Sequence, residues 1–302
     1  MYKTYIIKSP ELRRLFFCDI FYYFSTKSKI LLKNRIVIFS LSLFLIYSCN
    51  KDSKLNKTEN FYSDSLSTYI AYAKNKNLDS TKRLKFNLKA FSILESQKNN
   101  QQYRNNLFSI IEEFYSLKND KKLKEALHLI LDKSIEKKDS LNIARAYNMF
   151  GNQYINTGKN DSAYYYLLKS EKIYKKLNDS LNLGKNYIDK AFLQLFVTDY
   201  SGSELSAIQS LTYYKNFNKK QTEYLAYNLI GICSNELKNY DNAIVYHKKA
   251  LDYVNKYEEI GNSSFHFRAS SLNNLGYVYQ NINNHEEAVN TFREALTEKN
   301  LL

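Results

Sequence analysis

The sequence predicts an all-α fold made of stacked helix pairs, and three observations support this. Residues 139–151 read DSLNIARAYNMFG, and 40 residues later 179–191 read DSLNLGKNYIDKA. A fixed period of this length is typical of proteins that stack one helical unit on the next. The only proline is Pro10, so no proline interrupts a helix in the rest of the chain. No segment alternates apolar and polar residues for long enough to predict a strand.

The stretch ahead of this repeat also has helical periodicity. Apolar residues recur every three or four positions in segments 62–76, 81–97, 103–117 and 123–135. Short polar breaks separate the segments, and the Ser and Asp residues in them are natural N-caps for the following helix. We therefore interpret 61–140 as divergent helical hairpins and 141–302 as the clear repeats.

Small residues recur at fixed places within the repeats. One lies in each first helix, and a second follows 12 positions later. The four pairs are Gly151 and Ala163, Ala191 and Ser203, Gly231 and Ala243, and Gly276 and Ala288. Where two helices cross closely, only Gly, Ala or Ser leaves room for the backbones to approach. We expect these eight residues to mark the crossing point of each helix pair.

This arrangement resembles the tetratricopeptide repeat (TPR) family. The best-matching segments are 228–251, NLIGICSNELKNYDNAIVYHKKAL, and 273–296, NNLGYVYQNINNHEEAVNTFREAL. The period departs from the roughly 34 residues of the family, and the closing proline of the family is missing. The resemblance implies a TPR-like α-solenoid, a right-handed superhelix of about six antiparallel helix pairs with a concave face.

The resemblance also implies a ligand face. In TPR proteins, first-helix residues that point away from the second helix line the ligand groove. The matching positions singled out here are Arg145, Asn148, Asn152, Lys185, Ile188, Phe192, Asn228, Asn273 and Tyr277. Asparagines there would hydrogen-bond the backbone of an extended peptide, and Arg145 or Lys185 would bind a carboxylate. Two alternatives stay open: the asparagines are simply solvated, and Phe192 belongs to the core instead of an apolar pocket.

Motifs for catalysis or metal binding are absent from the sequence. The four histidines, His128, His247, His266 and His285, lie in different helical segments and form no HExxH motif. There is no P-loop and no GxGxxG motif. The three cysteines form no Cys-x-x-Cys motif, and Cys233 reads as a small core residue. We predict no enzyme activity, no cofactor and no metal.

An apolar run near the N-terminus predicts export. Residues 36–47 form a run of twelve, IVIFSLSLFLIY, preceded by Lys33 and Arg35. The run is shorter than the roughly 20 apolar residues of a membrane-spanning helix, and its flanks are those of a secretory signal. The end of this segment, IYSC, resembles a bacterial lipobox, which would make Cys49 the lipidated residue after a signal at 33–48. The alternatives are an uncleaved anchor or a chance cysteine.

Two flanking segments complete the predicted organisation. Residues 49–60 are polar and are interpreted as a linker. Residues 1–32 are too long for the basic start of a signal. They are either a membrane-surface segment or an over-called start of the reading frame, and we favour the over-called start.

The net charge of +14 does not predict a nucleic-acid partner. The first 48 residues hold eight basic and two acidic residues, whereas Lys and Glu are interspersed in the rest, as on solvated helix faces. A nucleic-acid-binding chain would show a basic stripe on one face.

The sequence thus predicts a non-catalytic TPR scaffold that binds a protein or peptide, exported to the cell envelope. It would be lipid-anchored on the periplasmic side or the cell surface, as the similar Bacteroidetes-type TPR lipoproteins are. The main alternative is the truncated sensory part of a TPR-containing sensor histidine kinase or helix-turn-helix regulator. A transport or outer-membrane assembly scaffold is a further class.

Overall fold

The computed structural model describes residues 56–215, 217, 220–256 and 263–300, with side chains over 65–215, 217, 222–255 and 267–297. The predicted extension 1–32, signal 33–48 and lipidated Cys49 lie outside these residues. All regular structure within them is helical, which confirms the predicted all-α class. The twelve helices of this part are α1 Asn56–Lys74, α2 Ser80–Glu95, α3 Gln101–Ser116, α4 Asp120–Glu136, α5 Ser140–Asn156, α6 Asn160–Lys176, α7 Ser180–Phe196, α8 Tyr200–Tyr214, α9 Lys220–Glu236, α10 Tyr240–Lys256, α11 Ser263–Asn281 and α12 His285–Asn300.

Helix α1 differs from the sequence-based expectation. It begins at Asn56, inside the stretch 49–60 that we interpreted as a polar linker. The apolar periodicity starts only at Phe61, and the first turn of a helix needs no apolar residue. Sequence periodicity therefore placed the start of this helix too late.

Acidic and amide side chains cap many of the described helices. The side chains of Asp79, Asn100, Asn119, Asp139, Asp179 and Asp199 each accept a hydrogen bond from the backbone N–H three residues later, at 2.8–3.1 Å. These bonds satisfy backbone donors that the first turn leaves unpaired. The predicted capping role of the polar breaks is confirmed at Asp79 and Asp139.

The repeated DSLN sequence is a reciprocal cap. Asp139 Oδ1 accepts from the backbone N–H of Asn142 at 3.1 Å, while Asn142 Nδ2 donates to Asp139 Oδ2 at 2.7 Å. Asp179 and Asn182 make the same two bonds at the same distances. The identical DSLN residues of the two repeats thus form the same capping structure at the start of α5 and of α7.

Helix ends share a compact turn with a residue in the left-handed region. In the turn after α5, Gly158 has φ +71°, and Lys159 N–H donates to Tyr154 O at 2.9 Å. In the turn after α7, Thr198 has φ +64°, and Asp199 N–H donates to Gln194 O at 2.8 Å. This is the hydrogen bonding of a Schellman motif, which closes a helix without proline.

The described residues divide between Lys138 and Asp139 into two compact units. In the first, α1 packs against α2 and α3, and α3 packs against α2 and α4. Its core includes Leu107, Leu127 and the edge-on pair Phe91 and Phe114, whose ring centroids lie 5.7 Å apart.

In the part of the second unit that the structure describes, the helices form four antiparallel pairs, α5 with α6, α7 with α8, α9 with α10 and α11 with α12. The first helices also contact one another in sequence order, from α5 to α7, α9 and α11. One buried cluster among its described residues includes Ile188, Phe192, Leu229 and Cys233. Burial raises the pKa of the Cys233 thiol to about 12, so the structure confirms Cys233 as a core residue.

All eight predicted packing residues are buried. At three of them, the glycine makes room for a side chain 16 positions later on the second helix. A methyl group placed on Gly151 would lie 2.7 Å from Leu167, on Gly231 2.7 Å from His247, and on Gly276 2.6 Å from Phe292. These glycines therefore accept a side chain of the second helix against the backbone, and Gly151 also lies close to the Ala163 carbonyl.

None of the helices in the described part of the chain combines the length and apolar character that a bilayer crossing needs.

Candidate functional site

Two successive first helices meet through a polar contact. Asn148 and Asn152, one turn apart on α5, both donate through Nδ2 to the same oxygen, Asp189 Oδ2 on α7, at 2.6 Å and 3.1 Å. Lys185 lies one turn before Asp189 on α7. We call Asn152, Lys185 and Asp189, with the buried Asn148 beneath them, the α5–α7 polar face.

Asp189 is the unusual member of this face. Burial raises the pKa of its carboxyl above the usual range, while the charge of Lys185 and the bonds from Asn148 and Asn152 act in the opposite direction. Among the described residues, none donates a hydrogen bond to Oδ1 of Asp189. One oxygen is thus fixed by two amides, and the other remains able to accept.

A buried network holds Asn148 in place. Asn148 is only 4% exposed. Its Oδ1 accepts from Asn186 Nδ2 at 2.8 Å, and Asn186 also donates to Leu167 O at 3.1 Å and to Ser170 Oγ. Because all these groups are buried, the network fixes the rotamer of Asn148 and with it the position of Asp189.

A second carboxylate, that of Glu171, differs from Asp189 because it is bonded to basic side chains. Glu171 on α6 accepts from Lys175 and Lys190, each at 2.7 Å, and from the Tyr187 hydroxyl at 3.0 Å. Burial acts to raise the pKa of Glu171, but the bonds from the two lysines outweigh it and hold the pKa below its usual value. Glu171 is therefore neutralised within the fold.

The contact between α5 and α7 has a counterpart between α9 and α11. Asn274 Nδ2 donates to Asn228 Oδ1 at 3.1 Å. Asn228 stands where Asn148 stands, three positions before the small residue, and Asn274 stands where Asp189 stands, two positions before it. The same pair of repeat positions is thus bonded twice, once with a carboxylate and once with a neutral amide.

The structure separates the nine predicted ligand-face residues into three groups. Asn148 and Asn228 are buried and bonded to the next first helix. Asn152, Lys185, Asn273, Tyr277 and Arg145 are half-buried. Arg145 Nη1 donates to Asn142 Oδ1 at 3.1 Å, which ties it to the cap of α5. The ring of Tyr277 packs edge-on against Phe292 at 5.2 Å.

Ile188 and Phe192 form the third group, and they lie in the core. They are 5% and 6% exposed and belong to the same buried cluster as Leu225 and Leu229 of α9. Of the two alternatives for Phe192, the structure therefore supports the core. An apolar side chain on a first helix is buried here because the next first helix covers it.

Sequence reasoning missed Asp189, Asn186 and Asn274. A signal for Asp189 existed, because the matching positions of the neighbouring repeats hold Met149 and Leu229. A charged residue in a place that other repeats fill with an apolar one indicates a role beyond packing. Asn186 and Asn274 carry no such signal in a sequence this rich in asparagine.

The arrangement is suited to binding. Asp189 offers an accepting oxygen, Lys185 contributes a positive charge beside it, and the helices that carry them fix their positions. Within the described ranges, no cluster of three or more His, Cys, Asp or Glu side chains is placed to hold a metal ion.

Comparison with known proteins agrees with this fold. Residues 222–297 match the family model described as tetratricopeptide repeat. The structure of BtubC (BKLC) from P. vanneervenii is similar, with a TM-score of 0.59 and 14% identity over 83% of this chain and 92% of that one. No curated protein sequence matches the chain.

Two further solved structures have a similar fold. The apo form of RapI has a TM-score of 0.57 and 13% identity, over 82% of this chain and 85% of that one. Aspartyl phosphate phosphatase F from Bacillus subtilis has a TM-score of 0.61 and 14% identity, over 81% of this chain and 73% of that one. At these identities the likeness establishes the fold alone, a TPR-like α-solenoid.

Proposed function

We propose that this chain is a non-catalytic scaffold that binds an extended peptide or protein segment along the α5–α7 polar face. The observation that carries the proposal is the contact of Asn148 and Asn152 with Asp189, which places a half-buried polar group where two successive first helices meet. An extended peptide presents N–H and C=O groups at regular intervals, and such a group can bind them.

The stacking of the first helices supports the proposal. A face shared by α5 and α7 is longer than any face of one helix pair, so it can follow several residues of a ligand. The half-buried Asn273 and Tyr277 on α11 lie at repeat positions that correspond to Asn148 and Asn152. They would extend the same face toward the C-terminal repeats.

We also propose that the chain catalyses no reaction and that it is located in the cell envelope. No observation in the described part of the chain favours the alternative of a sensor or regulator. The export signal at 33–48 and the lipid at Cys49 are proposed from the sequence, and they would place the scaffold in the cell envelope.

The lipid anchor is tested by replacing its cysteine. Cys49→Ala is expected to abolish palmitate labelling and release the protein from the membrane fraction, whereas Cys18→Ala is a matched control that should change neither. Unchanged membrane retention of Cys49→Ala would show that the anchor is wrongly assigned.

Peptide binding is tested with a displayed library of random dodecapeptides and the full chain as bait. We expect enriched peptides whose dissociation constants, measured by fluorescence anisotropy after resynthesis, are micromolar or tighter. Asn152→Trp, which fills the α5–α7 polar face, should remove binding. Asn290→Trp, on the exposed side of α12, should leave it unchanged. Equal binding by both variants would contradict the proposed face.

A further inference from the structure

We propose that the ligand of this scaffold carries a positively charged side chain, an arginine or a lysine, which docks on Asp189. This inference rests on the proposed function and names the chemistry of one ligand group. It depends on four observations about Asp189 and its counterparts in the same chain.

The first observation is that the described part of the fold provides no cation hydrogen-bonded to the carboxylate of Asp189. Its hydrogen-bond donors are the neutral amides of Asn148 and Asn152, at 2.6 Å and 3.1 Å. Lys185 influences the carboxylate through its charge, but among the described residues no basic side chain hydrogen-bonds to it. Amides orient a carboxylate without neutralising it.

The second observation is that this unit neutralises another carboxylate completely. Glu171 is bonded to Lys175, Lys190 and the Tyr187 hydroxyl. A buried carboxylate with a purely structural role is paired with cations in this way, because a buried carboxylate without a cation destabilises the fold. Asp189 therefore retains the unfavourable free energy of an unpaired, desolvated carboxylate, which the ion pairs of Glu171 avoid.

The third observation is that the structural bond at this repeat position needs no charge. The equivalent contact between α9 and α11 joins Asn274 to Asn228 at 3.1 Å with two neutral side chains. Asn274 donates in that contact, whereas Asp189 accepts, but an amide oxygen at 189 could also accept from Asn148 and Asn152. The carboxylate thus adds only a negative charge, which points to a ligand.

The fourth observation is the geometry of the carboxylate. Both amides donate to Oδ2, so the plane of the group is fixed and Oδ1 is left to accept from a ligand. A guanidinium or ammonium group meets this oxygen with a charge-assisted hydrogen bond in a partly desolvated site. An acidic ligand group would instead be repelled, although the sequence alone suggested a carboxylate bound by Arg145 or Lys185.

The experiment compares arginine with citrulline, its neutral isostere. The probes are fluorescein-labelled nonapeptide mixtures with blocked ends, in which one position is fixed as arginine, citrulline or glutamate and the others are randomised. Binding to the full chain is followed by anisotropy. At one or two positions we expect arginine to bind at least about tenfold more tightly than citrulline, as for a close charge pair, and glutamate to bind weakest.

Two variants assign the effect to the residue. Asp189→Asn should reduce the arginine preference to about one, because it keeps the shape of the site and an acceptor for Asn148 but removes the charge. Asp252→Asn, an exposed aspartate on α10, is the matched control and should retain the preference. The preference of the wild-type chain should also fall as sodium chloride is raised.

The outcomes separate the inference from the proposed function. Peptides that bind with equal affinity for arginine and citrulline, or with a preference for glutamate, would overturn the inference and leave the scaffold function standing. If no mixture and no displayed peptide binds, the function itself fails. Should Asp189→Asn not fold, the wild-type comparison of arginine with citrulline still decides the matter.

Discussion

Asn148 Nδ2 lies 2.6 Å from Asp189 Oδ2, and this bond joins the first helices of two successive repeats. The residues are 41 positions apart, so the contact exists only when α5 and α7 are stacked. The polar group that results belongs to the stack and not to either repeat. Binding of a ligand at this site would therefore depend on the packing of α5 against α7 as well as on the residues that contact the ligand.

The charge of Asp189 is expected to be unfavourable for stability. Its pKa is raised on folding because the carboxyl is desolvated, so the native state binds protons more readily than the unfolded state. Its contribution to the free energy of unfolding then rises as the pH falls toward the raised pKa. Asp189→Asn should accordingly keep or raise the melting temperature at neutral pH.

The matched comparison is Asn186→Ala, which breaks the buried network under the same face and should cost about 1–3 kcal/mol. Urea unfolding monitored by circular dichroism gives both values. If Asp189→Asn lost as much stability as Asn186→Ala, the carboxylate would be a structural group, and the ligand argument would lose its main support.

The fourth helix pair should not tolerate a large residue at Gly276. A side chain there meets the ring of Phe292, since even a methyl group would lie 2.6 Å from it. Gly276→Leu is expected to destabilise the protein by about 1–3 kcal/mol.

Combining Gly276→Leu with Phe292→Ala should give less than the sum of the two single effects, because the smaller residue opens the space that leucine needs. Thermal and urea melts of the four proteins measure the cycle. Strict additivity would mean that these two positions do not pack against each other.

His247 should make the second unit sensitive to acid. The imidazole is 1% exposed, neither ring nitrogen has a hydrogen-bond partner among the residues that the structure describes, and burial lowers its pKa to about 3. In the unfolded chain the histidine has a pKa of about 6.5 and takes up the proton first. The contribution of His247 to the free energy of unfolding is therefore fully present above that pH and declines as the pH falls toward 3. The expected loss from this group is about 2 kcal/mol between pH 7 and pH 5.

His247→Leu isolates this contribution, since Leu167 occupies the equivalent place against Gly151. The variant should remove about 2 kcal/mol of the difference in unfolding free energy between the two pH values. Parallel slopes for the wild type and the variant would show that His247 is protonated in the native state or does not titrate.

The turn after α7 contains a correctable strain. Thr198 adopts φ +64°, a conformation that a β-branched residue disfavours and glycine accepts freely. Thr198→Gly should stabilise the protein by about 0.5–1 kcal/mol.

Gly158 holds the corresponding place after α5 with φ +71°. Gly158→Thr is the reciprocal variant and should be destabilising by a similar amount. A melting temperature that falls on Thr198→Gly would indicate that the threonine side chain stabilises the turn in another way.

Local features of this fold were readable from the sequence, because they depend on residues close together in the chain. Asp139 was recognisable as a cap from its own type and place, and Gly276 as a packing position from the repeat register. The twelve-residue spacing to the second small residue follows from the length of one helix and its turn. The start of α1 was placed too late, because its first turns contain none of the apolar residues on which the prediction relied.

The site was only partly readable, because its geometry depends on stacking. The sequence placed Asn148 and Asn228 at one repeat position, but it could not tell that both would be buried and bonded to the next first helix. It assigned Phe192 to a face that α9 covers. Asp189 differed from the apolar Met149 and Leu229 at the matching positions, but its contrast with Asn274 and Glu171 appears only when the contacts are known.

The most direct test of the account locates the bound peptide. A library-selected peptide carrying a photoactivatable diazirine side chain is bound to the full chain, irradiated, and the adducts are mapped by tandem mass spectrometry. We predict adducts on α5 and α7 around Asn152, Lys185 and Asp189. Adducts confined to the second helices α6 and α8 would contradict the claim that the α5–α7 polar face is the ligand site.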